Sequence, residues 1–187
     1  KVYSAKMLLN LQDLFPQNAV DLGILKNPLL ITFFRRLEKV VYRAADKITF
    51  HSAGGSKFLT EERGVSSEKV FTLPNWVDVD RFGVEENECS FRQKYGLEDK
   101  FIFLFAGTMG PAQGLERLIE AAEEVRDLEE VIFLLVGGGL EKERIKEMVK
   151  EKGLSNVVFK PYVPHEKYPC LVKEADVGIV CLSPANG

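Results

Sequence analysis

The chain has 187 residues, enough for one large domain or two small ones, and 45% are apolar, sufficient for a real core. A formal net charge of −3, with Lys and Glu interleaved, argues against a general nucleic-acid binder, which carries a basic excess on at least one face. Cys89, Cys170 and Cys181 are odd in number and irregularly spaced, so they suggest neither a disulfide framework nor a zinc site, and the expected setting is reducing and cytoplasmic.

The predicted elements run as follows. MLLNL, from Met7 to Leu11, reads as a strand that ends at a DLFPQN turn. Asn27-Pro28 is an N-cap followed by proline at the first helical position, and a helix is expected to about Ala45 with Leu30, Phe33, Phe34, Leu37, Val40 and Val41 on one broad face. KITFH is a short strand; Ser52 then opens a helix to about Arg63, with Gly64 as its left-handed stop. KVFTL is a further strand, ended by Pro74-Asn75, after which the pattern is loop-like to Cys89. Beyond it come strand 101–106, helix 115–126, strand 131–136, helix 141–152, strand 157–159, helix 166–174 and strand 176–181. Strands alternating with helices at this spacing predict right-handed βαβ units and parallel sheets, an α/β fold. No apolar run reaches about 18 residues, the length that spans a bilayer, and no signal peptide is visible. The chain opens without a methionine on a strand pattern and closes just after another, so both ends are expected to be truncations.

The chemistry concentrates in two glycine turns. In AGTMGPAQG, from Ala106 to Gly114, Gly107 and Gly110 allow a sharp turn and a close backbone approach to a ligand. The helix that follows aims its positive end in that direction, which favours an anionic group. VGGG, from Val136 to Gly139, is a second such turn, but it lacks the GxGxxG spacing of dinucleotide folds and so gives no support to an oxidoreductase. Either turn alone is what many strands end on for structural reasons. Two at neighbouring strand ends mark where ligands sit in open α/β sheets.

Longer stretches carry a resemblance. VFTLPNWVDVDRF is similar to the interdomain signature vxxxPNGVDxxxF of retaining GT-B glycosyltransferases, with Trp76 in the glycine position as in a branch that builds capsular and exopolysaccharides. FLFAGTMGPAQGLERLIEAA resembles that family's fvGrxxxxKGldxLieAf, and the segment from FLLVGGG through EADVGIVCLSP resembles its lxivGxG to ADvxvxPS stretch. Upstream, ADKITFHSAGGSKFLTEERGVSSEKV resembles ADxitxxSxxxkxxLxxxGvxxxKv. The likeness covers nearly the whole chain in the family's order.

This resemblance implies a GT-B fold of two Rossmann-like parallel-sheet domains facing across a cleft, both incomplete here. Residues 1–73 would be the later half of the acceptor-side domain, 74–90 the linker, and 91–187 the first part of the nucleotide-sugar domain. It implies a donor site at Gly107, Thr108, Met109, Gly110, Gln113 and Gly114 for the diphosphate, with Gly137, Gly138 and Gly139 lining the same site and the backbone at Tyr162 and Val163 meeting the base. The donor would be a UDP- or GDP-linked sugar, bound without metal or other cofactor, and the acceptor a saccharide or a lipid-linked saccharide. A cytoplasmic enzyme is expected, peripheral on the inner face of the membrane, with no nucleic-acid partner.

Two departures stand out. The family's arginine after the first loop glycine is Thr108 here, and its lysine before the second is Gln113. Each lost charge-assisted contact is worth about 1.5–3 kcal/mol, and Arg117 or Lys160 would have to reach in to replace it. The family's Glu-x7-Glu segment would follow Ser183-Pro184, so this stretch by itself is expected to be inactive.

Other polar residues carry weaker signals. Asp13 stands where related families place a His-Asp pair, with Gln12 in the histidine position; it is the one candidate for orienting acceptor hydroxyls, and an Asp before a turn is also an ordinary Asx-turn. His51 closes a strand and His165 heads a helix, and neither neighbours a nucleophile in the way a hydrolytic triad needs. Arg35, Arg36, Lys39 and Arg43 form a basic edge on an apolar helix, either a solvated face or a surface for anionic lipid. Two alternatives remain: a nucleotide-sugar-binding scaffold without catalysis, which accounts for Thr108 and Gln113, and a GT-B-related sugar-nucleotide epimerase, which the PNWVD linker fits poorly.

Overall fold

A computed structural model describes residues 5–83, 89 and 91–183. They fall into two compact units that divide between Val77 and Asp78.

The first unit is a three-stranded parallel sheet in the order β1-β2-β3, with β1 at Leu8–Leu11, β2 at Lys47–Phe50 and β3 at Val70–Thr72. A short helix α1, Gln17–Asp21, lies in the segment expected to be a plain turn. Helix α2, Pro28–Ala44, starts where its cap demands: the Asn27 side chain accepts from the N–H groups of Leu29 at 2.9 Å and Leu30 at 3.3 Å. Helix α3, Ala53–Glu61, is capped by Ser52, whose hydroxyl accepts from the Gly55 N–H at 3.2 Å. Tyr42, Ala45, Ile48, Phe50 and Leu59 form the core between helices and sheet. Glu38 is buried beside them, accepting from the Tyr42 hydroxyl at 3.0 Å and paired with Arg63 at 3.3 Å. Burial, together with the Glu38 carboxylate, pushes the Tyr42 hydroxyl well above its ordinary pKa.

The second unit is a four-stranded parallel sheet in the order β6-β5-β4-β7. Its elements are α4 (Phe91–Tyr95), β4 (Phe101–Thr108), α5 (Glu116–Glu124), β5 (Val131–Gly138), α6 (Lys142–Glu151), β6 (Val157–Lys160), α7 (Tyr168–Lys173) and β7 (Val177–Gly178). The unbroken apolar run of β5 has its reason in burial on both faces, as in doubly covered parallel sheets. Phe133 and Leu135 pack on one side with Ile119 and Ile145, while Ile132, Leu134 and Val136 pack on the other with Leu171.

Three expectations need correction. The helix read over 166–174 begins as a 3-10 turn at His165–Lys167, and α7 takes over at Tyr168. The strand read over 176–181 pairs only at Val177–Gly178, because its outer edge has no partner strand among the described residues and Val180 stays exposed. Cys89 and Cys170, 81 positions apart, are joined as a disulfide with their Cα atoms 5.1 Å apart. Cysteine spacing could not show this, since pairing depends on where the fold brings the two β-carbons. Only Cys181 is free. Among the described residues no helix is long and apolar enough to cross a membrane.

Candidate functional site

The parallel pairing of β4 with β5 sets Gly107 opposite Gly137 and Thr108 opposite Gly138, so the two glycine turns emerge side by side. They then lock together through the backbone. The Met109 N–H donates to the Gly138 carbonyl at 2.8 Å, and the Met109 carbonyl accepts from the Glu141 N–H at 3.0 Å. That approach is what makes two of the glycines obligatory. A Cβ on Gly137, at φ 134°, would sit 2.1 Å from the Gly107 carbonyl oxygen; one on Gly139, at φ 151°, would sit 2.3 Å from that of Met109.

A cavity of about 200 Å3 opens at these strand ends. Gly107, Thr108, Gly137, Gly138, Tyr162 and Val163 line it, all of them residues that sequence reading singled out. Neither Gly107 nor Gly138 has an obstruction where a Cβ would point: the nearest atom is 4.0 Å away for the first, and none lies within 4 Å for the second. Tyr162 stands exposed at the rim, and Val163 is buried beneath it. Tyr168, which the sequence pattern did not mark, closes one wall. Only its position on the first turn of α7 brings it there.

The rest of the expected donor set lies elsewhere. Met109 is fully buried in the core, and both its backbone groups are spent on the opposite turn. The Gln113 side-chain amide oxygen accepts from the Gly110 N–H at 3.1 Å, so both residues serve the loop's own shape. Gly114 is at φ 55°, packed on Ser183. The positive end of α5 is partly answered within the protein: its first-turn Glu116 pairs with Arg144 of α6. A backbone hydrogen bond, helped by Arg144, holds that carboxyl below the usual range.

Of the two cations expected as substitutes, Lys160 lies over the Tyr95 ring at 4.2 Å and Arg117 is exposed on α5. The cation at the turn is instead Lys142, whose ammonium donates to the Gly137 carbonyl at 2.6 Å and to that of Lys160 at 3.4 Å. Its i+5 spacing from Gly137 gave no motif to read.

In the first unit the strand ends carry side chains. Gln12, Asp13, Asn18, Asp21, His51 and Ser52 contribute to a cavity of about 470 Å3. The Asp13 carboxylate accepts from the Asn18 side-chain amide N–H at 3.3 Å, and the Asn18 side-chain oxygen is buried without a partner among the described residues. His51 stacks on Phe50 at 4.6 Å. His165, by contrast, faces the Arg81 guanidinium at 2.8 Å in the second unit. Among the described residues no group of three His, Cys, Asp or Glu could hold a metal ion.

Two α/β units, each built on a parallel sheet, with a cavity at the glycine-turn end of the second, are the elements of the GT-B fold. Solved structures agree: HepE of Anabaena, in complex with UDP-glucose, superposes with a TM-score of 0.77 over 96% of this chain and 48% of that one, at 19% identity. Residues 88–183 match the model of glycosyl transferases group 1, and the chain belongs to that family. It is 38% identical over 122 residues to WcaI of Escherichia coli K12, named for colanic acid biosynthesis, covering 64% of this chain and 30% of that protein. It is 31% identical over 136 residues to a GDP-mannose-dependent α-(1-6)-phosphatidylinositol monomannoside mannosyltransferase of Mycolicibacterium smegmatis, covering 71% of this chain and 35% of that protein. The chain therefore spans less than half the length of these relatives.

Proposed function

We propose that the chain is part of a retaining glycosyltransferase and that its second unit binds a nucleoside-diphosphate sugar at the Gly107 and Gly138 turns. The observation that carries this is the 200 Å3 cavity, where six residues marked by sequence meet at the carboxyl ends of β4, β5 and β6. Exposed Tyr162 and the floor at Val163 suit a base, and the backbone of the turns suits the diphosphate. No metal is required in this reading: the end of α5 and the Lys142 ammonium, each partly engaged within the protein, would supply positive potential beside the turns. Catalysis would then rest on stabilising the departing diphosphate and on positioning. HepE was crystallised with UDP-glucose and the mycobacterial relative is named for GDP-mannose, so both bases belong in the test.

The acceptor would be a saccharide or lipid-linked saccharide of the capsular or exopolysaccharide kind, with hydroxyls oriented at the polar cavity around Asp13. Arg35, Arg36, Lys39 and Arg43, exposed along α2, would face anionic lipid at the inner, cytoplasmic surface of the membrane. In a reducing cytoplasm Cys89 and Cys170 would be thiols, which a thiol count on the isolated protein checks.

A second reading, a nucleotide-sugar-binding scaffold, draws on Thr108 and on the engagement of Gln113 with Gly110. The separating experiment is calorimetric titration with UDP, GDP and UDP-glucose in EDTA, on this chain and on its Gly138→Leu variant. Saturable binding by the parent that the variant loses supports the donor site. Binding unaffected by Gly138→Leu overturns it. Sugar transfer by the whole protein then favours the enzyme, and binding without transfer the scaffold.

A further inference from the structure

At the edge of the first unit opposite Asp13 and His51, a cavity of about 340 Å3 lies where the end of α2 meets the turn after α3. Arg43 and Lys69 precede β2 and β3, whereas Asp13 and His51 follow β1 and β2, so the parallel strands separate the two cavities by their full length. Lys39, Arg43, Arg63 and Lys69 line the opening with the Tyr42 and Ser66 side chains, and no carboxylate shares the lining.

The four cations are differently held. Arg63 is fixed from behind, donating to buried Glu38 at 3.3 Å and to the Gln17 side-chain amide oxygen at 2.8 Å. Lys69 caps the last turn of α2, donating to the Ala45 carbonyl at 2.9 Å and that of Arg43 at 3.3 Å, which leaves one of its three N–H groups for a ligand. Lys39 and Arg43 have no hydrogen-bond or ion-pair partner for their side chains among the described residues. They stand four residues apart on one helix face, a like-charge spacing that is unfavourable by itself. The concentration of charge is local, because the whole chain is at −3. Two anchored cations and two unpaired ones around a concave opening form an arrangement that an anion relieves, and tetrahedral oxyanions match such donor clusters.

We propose that this cavity binds a phosphate group, either free or on a small ester, or as the headgroup phosphate of a lipid. The site lies apart from the donor turns and does not depend on the reading given for them.

The test titrates inorganic phosphate calorimetrically into this chain at constant ionic strength, and sediments the chain with vesicles of phosphatidylcholine alone or mixed equally with phosphatidylglycerol. The variant is Lys39→Gln/Arg43→Gln, which spares the anchored Arg63 and Lys69. Lys26→Gln/Lys57→Gln is the control, carrying the same charge change on the first unit outside the cavity and away from the basic edge of α2. Saturable phosphate binding, weakened about tenfold in the first double variant and unchanged in the control, supports the proposal. Added sedimentation with phosphatidylglycerol, lost in the same variant alone, assigns the phosphate to lipid; phosphate binding without sedimentation assigns it to a soluble ligand. Absence of both responses, or equal weakening in the two double variants, overturns it.

Discussion

In the first unit Asp46 accepts a hydrogen bond from the Met7 N–H at 2.7 Å, and in the second Asp176 accepts one from the Ile102 N–H at the same distance. Each Asp also donates its own N–H to the same partner's carbonyl, at 2.9 Å and 3.1 Å. Each follows an alanine at the entry to a strand, so AADKITF and EADVGIV are the same device used twice to fix the register of neighbouring parallel strands. At the other ends of the strands the units part company. The first ends β1 and β2 in Gln12-Asp13 and His51-Ser52, which present side chains; the second ends β4 and β5 in glycines, which present backbone. One scaffold therefore offers two chemistries. In the function proposed above, side chains would suit the varied hydroxyls of a saccharide, whereas backbone and a helix end would suit an anion that does not vary.

The largest expected effect tests whether the glycines of the second unit are structural or ligand-facing. Gly137→Ala drives a Cβ into the Gly107 carbonyl at a φ that alanine resists, and is expected to cost about 3 kcal/mol or more in urea unfolding followed by circular dichroism. Next comes the shared aspartate. Asp176→Asn is expected to cost about 1–2 kcal/mol, toward the low end for charged hydrogen bonds because the carboxylate is a third exposed. Burial by itself would raise the Asp176 pKa, but the Ile102 N–H and the Arg92 guanidinium outweigh it and hold the carboxyl below its ordinary value. A depressed folded-state pKa gives stability that is full above the unfolded value of about 3.9 and is lost as pH falls through the folded one. The difference between parent and Asp176→Asn should accordingly be constant from neutral pH down to about 5 and shrink below about 4. A gap that persists at pH 3 would assign the effect to packing.

Thr108→Arg asks whether the backbone-only turn can accept a charged contact. It should tighten UDP or GDP about tenfold by calorimetry, equivalent to about 1.4 kcal/mol. No gain would mean that the anion does not approach position 108. Smallest of all is Gly138→Ala, expected within about 0.5 kcal/mol of the parent in the same unfolding assay, since nothing lies within 4 Å of the added methyl. Paired with the Gly137 variant, it separates the glycine that the fold needs from the one that leaves room for a ligand.

Much was legible in the sequence because it rests on local physics. Asn27-Pro28 and Ser52 start α2 and α3 through caps spanning three residues. The apolar runs at 101–106 and 131–136 become β4 and β5, each two residues longer than read, because the glycines that looked like strand stops still pair across the ladder. Less legible were roles that depend on distant neighbours. Met109 sits between Gly107 and Gly110 in the first glycine turn and reads as part of a ligand loop, yet it is the core residue that joins this turn to the second. Gln113 stands where a lysine would face the ligand and is turned back to Gly110.

Local periodicity, caps and glycine punctuation in the sequence thus determined the order and type of most elements and the strand ends where a ligand would bind, because those signals act over a few residues. Tertiary structure alone decided the Cys89–Cys170 pairing, the placement of Lys142 on the Gly137 carbonyl, the wall formed by Tyr168, and the gathering of Lys39, Arg43, Arg63 and Lys69 around one cavity. Those contacts join residues whose spacing in the chain carries no period, and only closure of the βαβ crossovers brings them within reach.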